Sequence, residues 1–220
     1  MSKKLFITGT GLFAQVARLY FDTFTEYEVV AFACHQEYMQ EPEIEGLPVV
    51  ALESITDTHP AIEYNTFVAL GYKNMNKMRQ RIYEEMKSKG YNCANFVHPD
   101  VHVWDNTELG DNLFIFEDNT IQPYTKIGSN TVLWSGNHIG HHSTIGDNVF
   151  ISSHVVISGS CHVNDNVFIG VNATLRDSIT IAEETLIGAG AVIMKDTKPK
   201  EVYPPQATKV FSKNSEEIGF

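Results

Sequence analysis

The strongest constraint in the sequence is a run of aliphatic residues at every sixth position. From position 97 to position 193, each sixth residue is Val, Ile or Leu, and no insertion breaks the register. The run is Val97, Val103, Leu109, Ile115, Ile121, Ile127, Leu133, Ile139, Ile145, Ile151, Ile157, Val163, Ile169, Leu175, Ile181, Ile187 and Ile193. A period of six is neither the 3.6 of an amphipathic helix nor the 2 of a half-buried strand, so it predicts a repeat architecture.

A coil of three short strands explains this period, because each strand then turns one aliphatic side chain into the interior. Asparagines recur near the turns, at Asn112, Asn130, Asn148 and Asn166. Asn tolerates the left-handed backbone that such tight turns need. We therefore predict a left-handed parallel β-helix over residues 96–197 and a C-terminal tail over residues 198–220. A β-sandwich would need strands of variable length and could not hold a strict period of six.

Residues 1–95 alternate strand-like and helix-like segments, which predicts a small parallel α/β sheet of Rossmann-like type. The predicted strands are 4–8, 28–33, 47–51, 66–70 and 93–97. A first helix is predicted over 14–24. A second follows from the spacing of Met75, Met78, Ile82 and Met86, which favours a core face over a cofactor site.

A glycine-rich turn between the first strand and the first helix is the candidate ligand site of this domain. Gly9, Thr10 and Gly11 stand where the amides of a helix N-terminus bind phosphate. A NAD-binding domain would also have an acidic residue at the end of the second strand. That place is Cys34-His35-Gln36, so the sequence favours a single nucleotide with its diphosphate, with an empty tight turn as the alternative.

The fourth predicted strand ends beside the same edge of the sheet. Gly71 and Tyr72 follow that strand directly. Open α/β sheets bind ligands at the carboxyl ends of their strands. We therefore expect Gly71, Tyr72 and His35 to line the nucleotide pocket together with the glycine-rich turn.

Charge and cysteine content restrict the partners and the compartment. The formal net charge of -11 argues against a nucleic-acid surface, which needs clustered Lys and Arg. Cys34, Cys93 and Cys161 offer no disulfide framework, which fits a reducing cytoplasm. The apolar run after Met-Ser-Lys-Lys is too short for a signal peptide, and no apolar stretch reaches about 18 residues, so no membrane span is expected.

The order of these parts resembles one family of enzymes. An α/β domain joined through Phe96-Val97-His98-Pro99 to an unbroken hexapeptide helix is similar to the bacterial sugar acyltransferases. These include sialic-acid O-acetyltransferases and N-acetyltransferases for nucleotide-linked 4-amino sugars of surface glycans such as lipopolysaccharide or O-antigen. The resemblance covers nearly the whole chain. It implies a cytoplasmic homotrimer that uses acetyl-CoA without a metal, with its active site between neighbouring β-helices.

The resemblance also implies a catalytic base. The family histidine lies two residues after an aliphatic corner, in a pattern like Ile-Glu-His-Glu, and this chain has Ile139-Gly140-His141-His142. His141 is the match, whereas both flanking acids are replaced, which leaves open what orients its imidazole. His142 is a candidate partner. A neutral imidazole suits the removal of a proton from an attacking amine near neutral pH.

Positions further along the helix are implied to hold acetyl-CoA. Gly159 lies one coil of eighteen residues after His141 and matches the family glycine whose amide stabilises the oxyanion. Val171 and Ala189 are implied to contact the pantetheine arm. Trp104, Phe116 and Trp134 each follow an inward aliphatic residue by one position. They either point outward into a subunit interface or fill corners.

The many histidines also raise the alternative of a metal site. His138, His141, His142, His154 and His162 are not separated by eighteen residues, so they do not stack on one face of the helix as zinc ligands would. The sequence thus predicts no metal within one chain, and leaves open ligands shared across a trimer interface. The alternatives to an N-acetyltransferase are a sugar O-acetyltransferase, a metal-dependent hydratase on the same helix and a non-catalytic scaffold.

Overall fold

The structure, a computed structural model, describes residues 3–205 and 207–219. Met1, Ser2, Gln206 and Phe220, which the predicted domain limits include, lie outside the described residues. Two domains follow one another along the chain, an α/β domain and a long β-helix. The elements of the first are β1 Lys3–Thr8, α1 Leu12–Phe24, β2 Tyr27–Cys34, a 3₁₀ turn Gln36–Tyr38, β3 Glu43–Ile44, β4 Leu47–Ala51, α2 Ile55–Thr58, β5 Tyr64–Val68 and α3 Lys77–Ser88.

The α/β domain is built on a mostly parallel sheet in the order β3-β4-β2-β1-β5. β1 is an interior strand that pairs in parallel with β2 on one side and with the edge strand β5 on the other, and its apolar side chains Leu5, Phe6 and Ile7 are fully buried. Helix α1 covers one side of the sheet, and α3 packs against the other through Ile82 and Met86. The short β3 pairs with β4 in the antiparallel sense.

The predicted parallel α/β sheet of this domain is confirmed, with two corrections to its strands. β5 begins at Tyr64 and ends at Val68, two residues earlier at each end than predicted. The predicted strand over 93–97 is wrong, since Cys93 makes only an isolated bridge with Thr66. Phe96 and Val97 instead form β6, which pairs with a strand of the β-helix. Of the methionine stripe, Met75 lies before α3 and Met78 lines a pocket, so only its second half is core.

The six-residue period becomes a β-helix of two-residue strands, as predicted. These are β6 Phe96–Val97, β7 Glu108–Leu109, β8 Phe114–Ile115, β9 Thr120–Ile121, β10 Lys126–Ile127, β11 Val132–Leu133, β12 His138–Ile139, β13 Thr144–Ile145, β14 Phe150–Ile151, β15 Val156–Ile157, β16 His162–Val163, β17 Phe168–Ile169, β18 Thr174–Leu175, β19 Thr180–Ile181, β20 Leu186–Ile187, β21 Val192–Ile193 and β22 Val202–Tyr203, and a short α4 Ser215–Ile218 follows. All pairs between coils are parallel and eighteen residues apart from β7 to β21, as in His138 with Val156. The periodic aliphatic residues fill the interior.

Three sheets form the faces of a left-handed triangular prism. Face 1 contains β7, β10, β13, β16 and β19; face 2 contains β6, β8, β11, β14, β17, β20 and β22; face 3 contains β9, β12, β15, β18 and β21. The chain therefore turns from face 1 to face 2, from face 2 to face 3, and from face 3 back to face 1. We call these the 1/2, 2/3 and 3/1 corners.

Left-handed backbone recurs at the corners with the same period of six. The predicted asparagines adopt φ between 53° and 60°: Asn112, Asn130, Asn148 and Asn166. Asn112 and Asn130 also donate along the 1/2 corner to the asparagine one coil further on, at 2.8 and 2.7 Å. Histidine and tyrosine occupy the same position at other corners, including Tyr124, His142 and His154 with φ of 63°, 58° and 58°. The packing of the coils fixes the backbone of each turn, and this backbone sets the direction of the side chain at the left-handed position.

The α/β domain covers face 2 and contacts the corners on both sides of it, through α1 at the 2/3 corner and through α3 at the 1/2 corner. Phe116 is buried there and stacks on Trp134 at 4.5 Å between ring centroids, within reach of Phe13 and Tyr20 of α1. Phe116 and Trp134 therefore pack within their own chain, whereas Trp104 is 45% exposed. The described helices include none that is both long and apolar enough to cross a membrane.

A buried arginine joins the two domains. Arg79 of α3 has no exposed surface and donates to the carbonyl oxygens of Gly71, Asn130, Asn148 and Val149 at 3.0–3.2 Å. Burial lowers the pKa of its guanidinium from 12.5 to about 9. Carbonyl dipoles replace a carboxylate partner here, and they fix α3 along the 1/2 corner.

Candidate active site

His141 lies on the 3/1 corner, where its imidazole is exposed to solvent. The ring lies over Gly159 of the next coil. A Cβ atom built on Gly159 would be 2.7 Å from His141 Cε1 and 2.9 Å from Nε2, closer than side-chain atoms approach one another. The eighteen-residue offset read from the sequence thus becomes direct contact between these two residues. Only a residue without a side chain permits this placement of the imidazole.

Gly159 also presents an unused hydrogen-bond donor beside that ring. Its carbonyl oxygen accepts from the Ser178 N–H at 3.0 Å, whereas no described residue accepts from its own N–H. The flanking Ser160 N–H, in contrast, donates to the His141 carbonyl at 2.8 Å. Acyl transfer needs a hydrogen-bond donor for the oxyanion and a base for the departing proton. A free backbone N–H close to an imidazole offers both groups.

His142 contacts His141 directly. The two Nδ1 atoms are 3.2 Å apart and the rings meet edge to face. Tyr124, one coil earlier on the same corner, stacks on the His142 ring at 4.7 Å between centroids. Gln122 accepts a hydrogen bond from the His141 N–H at 2.8 Å. Sequence reasoning missed Tyr124 and Gln122, although both lie eighteen or nineteen residues before the histidines and the coil period would have placed them here.

Val171 and Ala189 lie on a different corner from His141. Both are exposed on the 2/3 corner, where the Gly190 N–H donates to the Val171 carbonyl at 2.8 Å. Within one chain Val171 and Ala189 therefore lie close to each other, on a different corner from His141.

A concave site lies at the carboxyl edge of the α/β sheet. Its volume is about 210 Å³ and its walls are mostly apolar. The lining residues are Thr8, Gly9, Thr10, Ala33, Cys34, His35, Tyr38, Leu52, Leu70, Lys73, Met78, Arg81 and Ile82. Gly9, Thr10 and His35 thus lie at the pocket predicted for them. Lys73 and Arg81 were not predicted; they supply two cations to a site expected to hold phosphate.

The other predicted pocket residues lie outside these walls. Gly11 caps the N-terminus of α1, and no atom lies within 4 Å of a Cβ built on it. The Gly71 carbonyl accepts from Arg79, and the Tyr72 ring packs on Phe150 and Phe168 of face 2. Gly71 and Tyr72 therefore contact the domain interface next to the pocket.

His35 is held between two carboxylates that other elements supply. Its Nδ1 and Nε2 atoms each lie 2.9 Å from a carboxylate oxygen, of Glu53 and Glu85 respectively. Burial opposes protonation of the ring, but hydrogen bonds and charges from both glutamates outweigh it and raise the pKa of His35. Glu53 also accepts from the Gln36 N–H at 3.1 Å. The end of β2 thus has a carboxylate beside it, although Cys34-His35-Gln36 itself contains none.

The pocket and His141 belong to different parts of the fold. The α/β domain, which carries the pocket, packs on face 2 and the corners beside it, whereas His141 lies on the 3/1 corner, the one that face 2 does not form. Among the described residues, no three His, Cys, Asp or Glu side chains converge to hold a metal ion.

Comparison with known proteins identifies the same architecture elsewhere. Residues 124–159, which include both histidines and Gly159, match the bacterial transferase hexapeptide (six repeats) family. No curated protein matches the chain.

Solved structures match nearly the whole chain. The acetyltransferase domain of PglB from Neisseria gonorrhoeae FA1090 superimposes with a TM-score of 0.83 at 20% identity, covering 92% of this chain and 97% of that one. A mutant of perosamine N-acetyltransferase from Caulobacter crescentus, in complex with CoA and GDP-perosamine, gives 0.80 at 22% identity and covers 92% and 93%. PerB from the same organism gives 0.78 at 23% and covers 92% and 91%. The resemblance inferred from the hexapeptide period is thereby confirmed at the level of fold, an α/β domain followed by a hexapeptide β-helix.

Proposed function

We propose that this chain is an acetyl-CoA-dependent N-acetyltransferase that acts on the amino group of a nucleotide-linked amino sugar. The observation that carries the proposal is the pairing of an exposed His141 imidazole with the free N–H of Gly159. The pocket with Lys73 and Arg81 supports a diphosphate-bearing substrate. The solved relatives include proteins in complex with CoA and GDP-perosamine, a nucleotide-linked amino sugar.

The reaction needs one base and one oxyanion donor. The sugar amine attacks the thioester carbonyl carbon of acetyl-CoA, a C–N bond forms, and the carbonyl π electrons move to oxygen. His141 Nε2 accepts the proton that the nitrogen loses. The Gly159 N–H donates to the oxyanion. When the intermediate collapses, the C–S bond breaks, the sulfur takes a proton from the His141 imidazolium, and the amide and free CoA leave.

The site is proposed to be shared between chains. Because the α/β domain packs on face 2 and His141 lies on the 3/1 corner, which face 2 does not form, a neighbouring chain is proposed to supply the nucleotide pocket. The same reasoning makes Val171 and Ala189 contacts for the pantetheine arm across an interface. Face 3 supports such packing, since its outward strand residues include no Asp, Glu, Lys or Arg: Thr120, His138, Val156, Thr174 and Val192. A cytoplasmic homotrimer with three shared sites satisfies these requirements.

The test is acetyl transfer with release of free thiol as the signal. UDP-, dTDP- and GDP-linked 4-amino sugars are supplied in turn with acetyl-CoA, and the matching sugars with a hydroxyl in place of the amine report O-acetylation. His141→Asn should lower kcat by roughly 10²- to 10⁴-fold, the range for a lost general base. His162→Asn, an exposed histidine of face 1, is the matched control and should leave kcat unchanged.

Two results would contradict the proposal. Acetyl-CoA that fails to bind in a calorimetric titration would favour a non-catalytic scaffold. Light scattering that gives a monomer of 24.7 kDa would remove the shared site, because one chain cannot complete it.

A further inference from the structure

The imidazole of His141 lacks the carboxylate partner that orients many catalytic histidines. Among the described residues, none of the ion pairs joins an Asp or Glu to either His141 or His142. The side-chain contact that His141 Nδ1 makes is with His142 Nδ1, at 3.2 Å. What orients the ring is therefore a second imidazole.

A contact between two Nδ1 atoms restricts the tautomers of both rings. A hydrogen bond of 3.2 Å needs a hydrogen on one nitrogen and a lone pair on the other. If His141 is to accept a proton at Nε2, its own hydrogen must lie on Nδ1. His142 then accepts at Nδ1 and carries its hydrogen on Nε2. A pair with both hydrogens on Nε2 would place two lone pairs against each other.

The fold holds His142 in the position this pairing needs. Its backbone is left-handed, with φ of 58°, because it occupies the turn position of the 3/1 corner. Tyr124 occupies the equivalent turn position of the preceding coil. Its ring stacks on the His142 imidazole, with an angle of 25° between the two ring planes. Both aromatic side chains leave the corner in the same direction, and each coil positions the next.

Position 140 cannot supply the orienting group instead. A Cβ atom on Gly140 would lie 2.5 Å from the Gly159 backbone nitrogen, so the close approach of the next coil excludes a side chain there. Of the two residues that flank His141, only the one at position 142 is able to present a hydrogen-bond acceptor.

We infer that His142, held by Tyr124, is the positioning residue that fixes His141 as the Nδ1–H tautomer and leaves its Nε2 free to act as the base. This inference rests on the proposed function. In the reaction His141 Nε2 gains the proton of the attacking nitrogen, and the Nδ1–H bond to His142 persists throughout. His142 gains and loses no proton. Its lone pair stabilises the positive charge on His141, as a carboxylate does in other enzymes.

The activity test uses substitutions that the left-handed turn tolerates. His142→Gly removes the acceptor, and Tyr124→Asn removes the stacking ring, while Gly and Asn both adopt positive φ without strain. We expect kcat to fall roughly tenfold to a hundredfold for His142→Gly, less than the ~10⁴-fold loss when a buried carboxylate that holds a catalytic imidazole is replaced. Tyr124→Asn should lower kcat in the same direction and less. KM for acetyl-CoA and the melting temperature should stay unchanged.

A matched histidine provides the control. His154 has the same φ of 58° and is likewise exposed, but it lies on the 2/3 corner. His154→Gly should leave kcat unchanged. His142→Glu should recover activity by supplying an acceptor, and its negative charge should move the rise of kcat/KM with pH to higher pH. A role of His142 in folding alone would produce neither the recovery nor the shift.

The outcomes separate this inference from the proposed function. If His141→Asn abolishes transfer while His142→Gly keeps full activity, the base stands and the positioning role is overturned. If the wild type transfers no acetyl group, the proposed function fails, and ¹H–¹⁵N NMR of the imidazoles still decides the pairing. Nδ1–H on His141 together with Nε2–H on His142 supports it; Nε2–H on both rings refutes it.

Discussion

Because His141 lies against Gly159, adding a single methyl group at position 159 should displace the His141 imidazole, the proposed base. A Cβ atom on residue 159 would lie 2.7 Å from His141 Cε1 and 2.9 Å from Nε2. Carbon atoms in ordinary contact are ~3.5–4.0 Å apart, so in Gly159→Ala the imidazole must move by roughly 1 Å. The substitution introduces no charge and leaves the N–H of residue 159 in place. It therefore changes where the base is and nothing else in the proposed chemistry.

The size of the effect follows from that displacement. A misplacement of about 1 Å can cost ~10²-fold in rate when a reaction depends on alignment, so we expect kcat to fall roughly tenfold to a hundredfold. Stability should change by no more than about 0.5 kcal/mol, because the exposed imidazole is free to swing away. The backbone gives no further penalty, since the φ of Gly159 lies outside the left-handed region.

The assay is thiol release at saturating acetyl-CoA with the amino sugar varied, alongside the melting temperature of each variant. Asn164→Ala, an exposed substitution in the same coil, is the control and should match the wild type. A Gly159→Ala enzyme with a kcat within twofold of the wild type and an intact fold would refute the reasoning. The imidazole would then act from a position that the contact with Gly159 does not define.

Three further predictions concern the pocket and the domain interface. Gly9→Ala should destabilise the fold by about 1–3 kcal/mol in urea unfolding, because φ is 133° and the new Cβ would lie 2.7 Å from the Ala69 carbonyl oxygen; Gly11→Ala, with no neighbour within 4 Å, should not. The pKa of His35 is raised, so its ion pairs stabilise the fold fully below the unfolded pKa of 6.5, and that stabilisation is lost as the pH rises through the folded pKa. His35→Gln should therefore lower the melting temperature more at pH 6 than at pH 9. An equal loss at both pH values would contradict this role of the ion pairs. Arg79→Met should cost roughly 3 kcal/mol, because buried carbonyl oxygens lose their donors, and a loss below about 1 kcal/mol would show that water replaces the guanidinium.

Prediction from sequence succeeded where structure repeats locally. The aliphatic residue at every sixth position must point inward in each coil, because every coil packs on an identical one eighteen residues away. The asparagines of the turns, such as Asn130, were recognisable for the same reason, since positive φ is a property of single residues. Strand β6 was misplaced because Phe96 and Val97 suit either sheet, and only their pairing with β8 decides between them.

The residues of the candidate site fall into the same two groups, those related by the repeat and those brought together only by tertiary contacts. The eighteen-residue period is sufficient to predict that Gly159 lies against His141, and it equally predicts that Tyr124 lies against His142. The carboxylates on His35 were not visible in the sequence, because Glu53 lies in the turn after β4 and Glu85 in α3, eighteen and fifty residues away from His35 and without a repeat to relate them. Lys73 and Arg81 were missed as pocket residues because a cation near a helix start is usually solvated.

The sequence by itself determined the β-helix, its corners and the residues that share each corner, because these depend on local backbone preferences repeated at a fixed spacing. Tertiary structure alone decided which face the α/β domain covers. That choice depends on long-range contacts, the aromatic side chains of α1 on face 2 and the buried Arg79 on the carbonyl oxygens of the 1/2 corner. It places the α/β domain, which carries the pocket, against face 2, whereas His141 lies on the 3/1 corner. The proposed site therefore draws on two separate parts of the fold.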